Sequence, residues 1–168
     1  MANSIRTNIR TAVKTALKTI IAGNDNGNGW TYNSTIVNNN IGIPPRSIED
    51  MMEFPFINFD FGEERAANAE VGSSLQTGGA NKQLLHNSVD AMCDCFMKAD
   101  DQTLAQDKIL ADLQALFGQN YSIDNTVFNT IYSRSIPFGV ENNNPNCGIT
   151  VYFRIWYRIY SSNPAISG

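Results

Sequence analysis

Five residues at alternate positions near the end of the chain, Tyr152, Arg154, Trp156, Arg158 and Tyr160, have the types and spacing to do chemistry. In a strand they share one face, while Ile149, Val151, Phe153, Ile155, Tyr157 and Ile159 share the other. Interleaved aromatic rings and guanidinium groups can stack on unpaired bases and reach phosphates, which makes a single-stranded nucleic-acid platform one reading. Trp, Tyr and Arg are also the residues enriched at protein–protein hot spots. Net charge decides between the two. The chain carries −4 with a pI near 4.9, where a dedicated nucleic-acid binder presents a basic surface, and an aromatic RNA-binding signature is absent. The protein interface is favoured.

Catalytic patterns are missing. The sequence has no G-x-S-x-G elbow, no phosphate-binding G-x-x-x-x-G-K loop, no G-x-G-x-x-G and no H-E-x-x-H. His86 is the only histidine and has no recognisable nucleophile to serve. Glu49-Asp50, Glu63-Glu64 and Asp100-Asp101 are adjacent pairs, which do not converge on one reacting atom from a helix or strand. Gly78-Gly79 has no strand-to-helix turn beside it, so it does not read as a phosphate cradle. Cys93, Cys95 and Cys147 are odd in number and lack C-x-x-C spacing, which points to free thiols in a reducing cytosol. The chain is read as a non-enzyme without cofactor or metal.

The aromatic ladder belongs to an unbroken alternation from Gly148 to Ser161, roughly 40 Å long and about twice a typical strand. Such length suggests that a neighbouring subunit uses part of it. Upstream, residues 4–22 repeat with a four-residue period, with Ser4 as cap and Gly23 as stop. Ile5, Ile9, Val13 and Leu17 gather on one arc, and Arg6, Arg10, Lys14 and Lys18 climb another, as in an amphipathic helix docked on a core. Arg- and Thr-rich, acid-free N-termini also occur in transit peptides and surface-lying membrane helices, but this helix is short of bulky membrane-inserting residues.

Further elements follow by pattern. Trp30 to Val37 reads as a short strand, Phe54 to Phe61 as a strand with Pro55 at its start, and 62–82 as a long polar loop. Leu84 to Lys98 alternates again, with Val89, Ala91, Cys93, Cys95 and Met97 opposite the surface charges Asp90 and Asp94. Asp100 or Asp101 caps a helix through Phe117, with Leu104, Ile109, Leu113, Leu116 and Phe117 inward and Gly118 at its end. Val127 to Val140 is the next strand, and Glu141 to Gly148 is a turn into the last. The expectation is one α+β domain over 1–168, with an antiparallel or mixed sheet of about four main strands and two flanking helices, in the order α-β-β-α-β-β. Asn clusters mark an insertion at 24–46. No segment is long and apolar enough to span a membrane, and the N-terminus lacks a secretory h-region.

Three stretches in this order carry a resemblance: Phe54–Glu64 (FPFINFDFGEE), Met97–Phe117 (MKADDQTLAQDKILADLQALF) and Ile149–Pro164. With the leading helix, the chain resembles the tail terminator (tail completion) proteins of long-tailed bacteriophages, of the lambda tail terminator type. The resemblance implies a homo-hexameric ring that sits on the last ring of tail tube protein, stops its growth and meets the head–tail connector or neck proteins. A contractile tail would add a sheath contact. DNA would pass through the lumen without specific binding, no membrane is involved, and the protein would belong to the virion after assembly in the host cytoplasm. Interface residues are expected at Glu63, Glu64 and Arg65 and along Tyr152, Arg154, Trp156, Arg158 and Tyr160. The insertion 24–46 and the loop 62–82 depart from the pattern, leaving a neck, tail-tube or baseplate subunit as the alternative, with nucleic-acid binding behind it.

Overall fold

The computed structural model describes residues 4–47, 53–66, 84–119, 129–139 and 146–160. Helix α1 spans Ile5–Leu17, with Ser4 Oγ accepting from the Thr7 N–H at 3.3 Å. Its arc Ile5, Ile9, Ala12, Val13 and Leu17 is buried. The helix stops short of the expected residue 22. Thr19 turns its hydroxyl onto the Ala16 carbonyl at 2.7 Å, and Thr19 and Ile20 close tight backbone bonds to Ala16 and Leu17. Gly23, at φ 84°, begins a narrow loop instead of ending the helix. Its N–H donates to Tyr32, Tyr32 donates back to Asn24, and Asp25 bridges Thr31.

The expected strand at 30–37 does not form. Trp30, Asn33 and Ser34 direct donors to Asp112 on the second helix, as set out below, and Asn38–Asn40 makes a 3-10 turn. Strand β1, Ile41–Gly42, is a two-residue parallel partner of Ile57 and Asn58 and the fifth strand that the sequence pattern did not show. Pro44 and Pro45 follow it after Ile43.

Strand β2 spans Phe56–Ala66, β3 Leu84–Lys98, β4 Asn129–Phe138 and β5 Asn146–Tyr160; helix α2 spans Gln102–Gln119. The sheet order is β1-β2-β3-β5-β4, antiparallel except for the β1–β2 pair, so the fold is α+β with a mixed five-stranded sheet and two helices. Strand β2 runs past Gly62 to Ala66, taking in the start of the expected loop, and a bulge between Phe61 and Glu64 re-aims its later side chains. The rest of that loop lies outside the described residues, as do parts of 141–148.

The length of β5 has an internal cause. All fifteen of its residues register against β3, from Tyr160 opposite Leu84 to Asn146 opposite Lys98, and β4 pairs along its other side up to Trp156. The strand therefore does not reach past its own sheet. The inference that a neighbouring subunit uses its surplus is corrected.

The core lies on one face. Ile57, Phe59, Phe61, Val89, Ala91, Cys93, Cys95, Val151, Phe153, Ile155 and Tyr157 join the buried arcs of α1 and α2 in one cluster. Helix α2 packs over β3, β5 and β4, held by Gln106 Nε2 on the Gly148 carbonyl at 2.7 Å and by the Thr130 hydroxyl on the Phe117 carbonyl. Asp101 caps it through the Leu104 N–H at 3.0 Å. Leu104, expected inward, is 48% exposed. At 100° per residue it lies about 140° around the helix from Ile109, while Gln106 occupies the inward position.

Candidate interaction surface

The second face of the sheet is left open by the helices, and the strand register lays out its side chains in rungs. One rung reads Arg65, Ser88, Trp156, Asn129 across β2, β3, β5 and β4. The next holds Asp90, Arg154 and Ile131, then come Asp60, Met92, Tyr152 and Arg134, then Asn58, Asp94, Thr150 and Ile136. The last is aromatic, with Phe56, Phe96 and Phe138 around Gly148. The Phe96 and Phe138 rings meet edge to face, 5.4 Å between centroids. A Cβ on Gly148 would lie 2.2 Å from Phe138 Cζ and 2.7 Å from the Cys95 carbonyl, so only glycine fits beneath that ring.

Tyr152, Arg154 and Trp156 are half-buried on this face, as their alternation required. Their cations are not free. Arg154 Nε donates to Asp90 Oδ1 at 2.8 Å, and that bond is the main cause holding the guanidinium above its usual range. Arg65 lies 3.9 Å from the same carboxylate and 2.9 Å from Glu63. Arg134 stacks over the Tyr152 ring at 4.6 Å. Asp94 accepts from the Thr150 hydroxyl at 2.7 Å. Asp90 and Asp94 are thus cross-strand partners of the ladder, not loose surface charges. Arg158 and Tyr160 extend β5 opposite His86 and Leu84 in backbone register.

Glu63, Glu64 and Arg65 do not act as one cluster. Glu63 pairs with Arg65 on the surface, whereas Glu64 turns to the helix side after the bulge. There it takes a 3.4 Å contact from Arg6 and the hydroxyl hydrogen of the fully buried Tyr157. Burial, then the Glu64 hydrogen bond and charge, push the Tyr157 phenol well up from 10.0. Arg6 and Arg10 stack over Phe61 at 5.0 and 4.9 Å, binding α1 to the edge of β2.

Three features escaped the sequence reading. Asp112 is fully buried and accepts from Trp30 Nε1 at 3.1 Å, from Asn33 N and Nδ2 at 3.0 Å and from Ser34 N at 2.8 Å. It folds part of the Asn-rich insertion onto α2. The signal was present, since Asp112 falls in the arc of Ile109, Leu113 and Leu116 where a carboxylate needs partners. The second feature is β4, with Ile131 50% and Ile136 45% exposed on the open face and Tyr132 exposed on the helix side. The third is a groove of about 300 Å³ lined by Thr35, Phe54, Pro55, Met97, Lys98, Ala105 and Lys108 among others. Among the described residues, no group of three or more His, Cys, Asp or Glu is placed to hold a metal. No helix among the described residues is long and apolar enough to cross a membrane. No protein-family model and no curated protein matches the chain.

Proposed function

We propose that this protein is a structural subunit of a long bacteriophage tail, a ring-forming tail terminator that caps the tail tube and joins it to the head connector. The observation that carries the reading is the open sheet face. Trp156, Tyr152, Ile131 and Ile136 place aromatic and aliphatic groups there, and Arg154 between them is paired with Asp90. Removing that apolar area from water is favourable, at roughly 25 cal/mol per Å². Such a surface suits a protein partner. The element order and the stretches Phe54–Glu64, Met97–Phe117 and Ile149–Pro164 support the terminator assignment by resemblance.

The same pairings weigh against single-stranded nucleic acid. One face of Tyr152 is covered by Arg134, and Arg154 is committed to Asp90. Incubation with purified tail tubes tests the function. A terminator caps one tube end and halts growth there, whereas a tube or baseplate subunit would add along the length or bind elsewhere. Gel shifts at low salt should show no binding to single-stranded DNA or RNA; a shift that fades steeply with salt would favour the nucleic-acid reading.

A further inference from the structure

The sequence has two Asn-Gly pairs, Asn26-Gly27 and Asn28-Gly29, set in tandem in the narrow loop after α1. An Asn followed by glycine is open to attack on its own carboxamide by the next backbone nitrogen, because glycine has no Cβ to crowd the approach. The two pairs match in local setting. Gly27 and Gly29 are exposed at φ 84° and 83°, and a Cβ at either would meet nothing within 4 Å. Their hydrogen bonds differ. Asn26 Oδ1 accepts from the Asn28 N–H at 2.9 Å and from the Trp30 N–H at 3.1 Å, which fixes the Asn26 carboxamide across the turn. The nitrogen that would attack it, that of Gly27, donates to Asp25 Oδ1 at 2.6 Å. A carboxylate at that distance also opposes loss of the Gly27 amide proton. The two bonds to Asn26 come from the residues on either side of Gly29 and pass over it, and Asn28 is exposed where Asn26 is half-buried.

We propose that Asn28 is a modification site, deamidating in the folded protein with water as the only co-reactant, while Asn26 is protected. The Gly29 nitrogen bonds to Asn28 Cγ, the Cγ–Nδ2 bond breaks, and Nδ2 leaves as ammonia carrying the Gly29 amide proton. Water then opens the cyclic imide at one of its two carbonyls. Addition at Cγ breaks the newly formed bond and leaves an aspartate. Addition at the Asn28 backbone carbonyl breaks the original peptide bond, so the chain runs on through Cγ as isoaspartate. Nothing is oxidised or reduced. Either product lowers the net charge of −4 by one and places the new carboxylate in a cleft that Asp25 and Lys18 also line.

The unaltered full-length protein tests it. Samples are held in warm, mildly alkaline buffer, one folded and one in concentrated urea, then digested and mapped by mass spectrometry with fragmentation that distinguishes isoaspartate. In the folded sample Asn28 should convert about tenfold faster than Asn26, the order expected when only Asn26 has such bonds to break, with isoaspartate among the products. In urea the two pairs should convert at similar rates, since the bonds that distinguish them are gone. Asp25→Ala, shown by circular dichroism to be folded, should speed conversion at Asn26 and narrow the gap. Equal rates in the folded wild type, faster conversion at Asn26, or an Asn28 that stays intact in the folded sample would overturn the proposal.

Discussion

At the level of single residues, Asp112 and Gly148 show how this chain makes one polar and one steric decision. Asp112 gathers the donors of Trp30, Asn33 and Ser34, so Asp112→Ala leaves them facing a vacated site. We expect a loss of about 2–4 kcal/mol in urea unfolding, with a shift in Trp30 fluorescence that a remote destabilising substitution would not produce. Gly148→Ala forces a methyl into the Phe138 ring and the Cys95 carbonyl, costing about 1–3 kcal/mol on the same measurement. Titration adds a third outcome. Burial raises the Cys93 and Cys95 thiols above 9.0, with Asp94 adding to both, and raises the Tyr157 phenol above 10.0. The folded state holds these protons to higher pH than the unfolded chain does, so the unfolded state releases them first. Stability should be unaffected by these groups below pH 9.0 and fall as pH rises beyond it. In Tyr157→Phe, the part of the decline that begins above 10.0 should flatten, read as the slope of the urea midpoint against pH.

Among the elements, the two fifteen-residue strands β3 and β5 explain each other, and the sheet inherits its width of face from their register. Alternation made both strands legible in sequence, along with the inward set from Val89 to Met97 and from Ile149 to Tyr157. What alternation could not supply was the partner of each strand. The length of β5 therefore read as surplus, when β3 supplies a match for each residue. The insertion was opaque for a related reason. Trp30 to Val37 has strand-like composition, but its Asn33 and Ser34 N–H groups find Asp112, a residue eighty positions or so away and invisible to local pattern. Leu104 failed because a helix wheel needs a fixed phase, and the phase here is set by Gln106 reaching Gly148. The ladder Tyr152–Arg154–Trp156 was legible as a surface. That Asp90 pairs with Arg154 and that Arg134 covers Tyr152 required knowing which strands lie beside β5. Substitutions on the two faces of this one strand should separate folding from assembly. Phe153→Ala should lose about 3–5 kcal/mol of stability, whereas Trp156→Ala should change the melting midpoint little and weaken self-association.

For the whole molecule, the architecture is a two-layer body with helices on one side and a chemically mixed, charge-balanced sheet face on the other. A net charge of −4 keeps such a body soluble and discourages adhesion to DNA, in keeping with a subunit that DNA would slide past. At the edge formed by β4, a bulge between Tyr132 and Arg134 and Pro137 oppose the addition of a further strand. The most direct measurement is the mass and shape of the purified full-length protein, by light scattering together with negative-stain imaging across a concentration series. The account predicts six-fold rings with a central hole at about 110 kDa, six times the 18.6 kDa chain, in exchange with monomer. A strict dimer, or a monomer at every concentration, would contradict it.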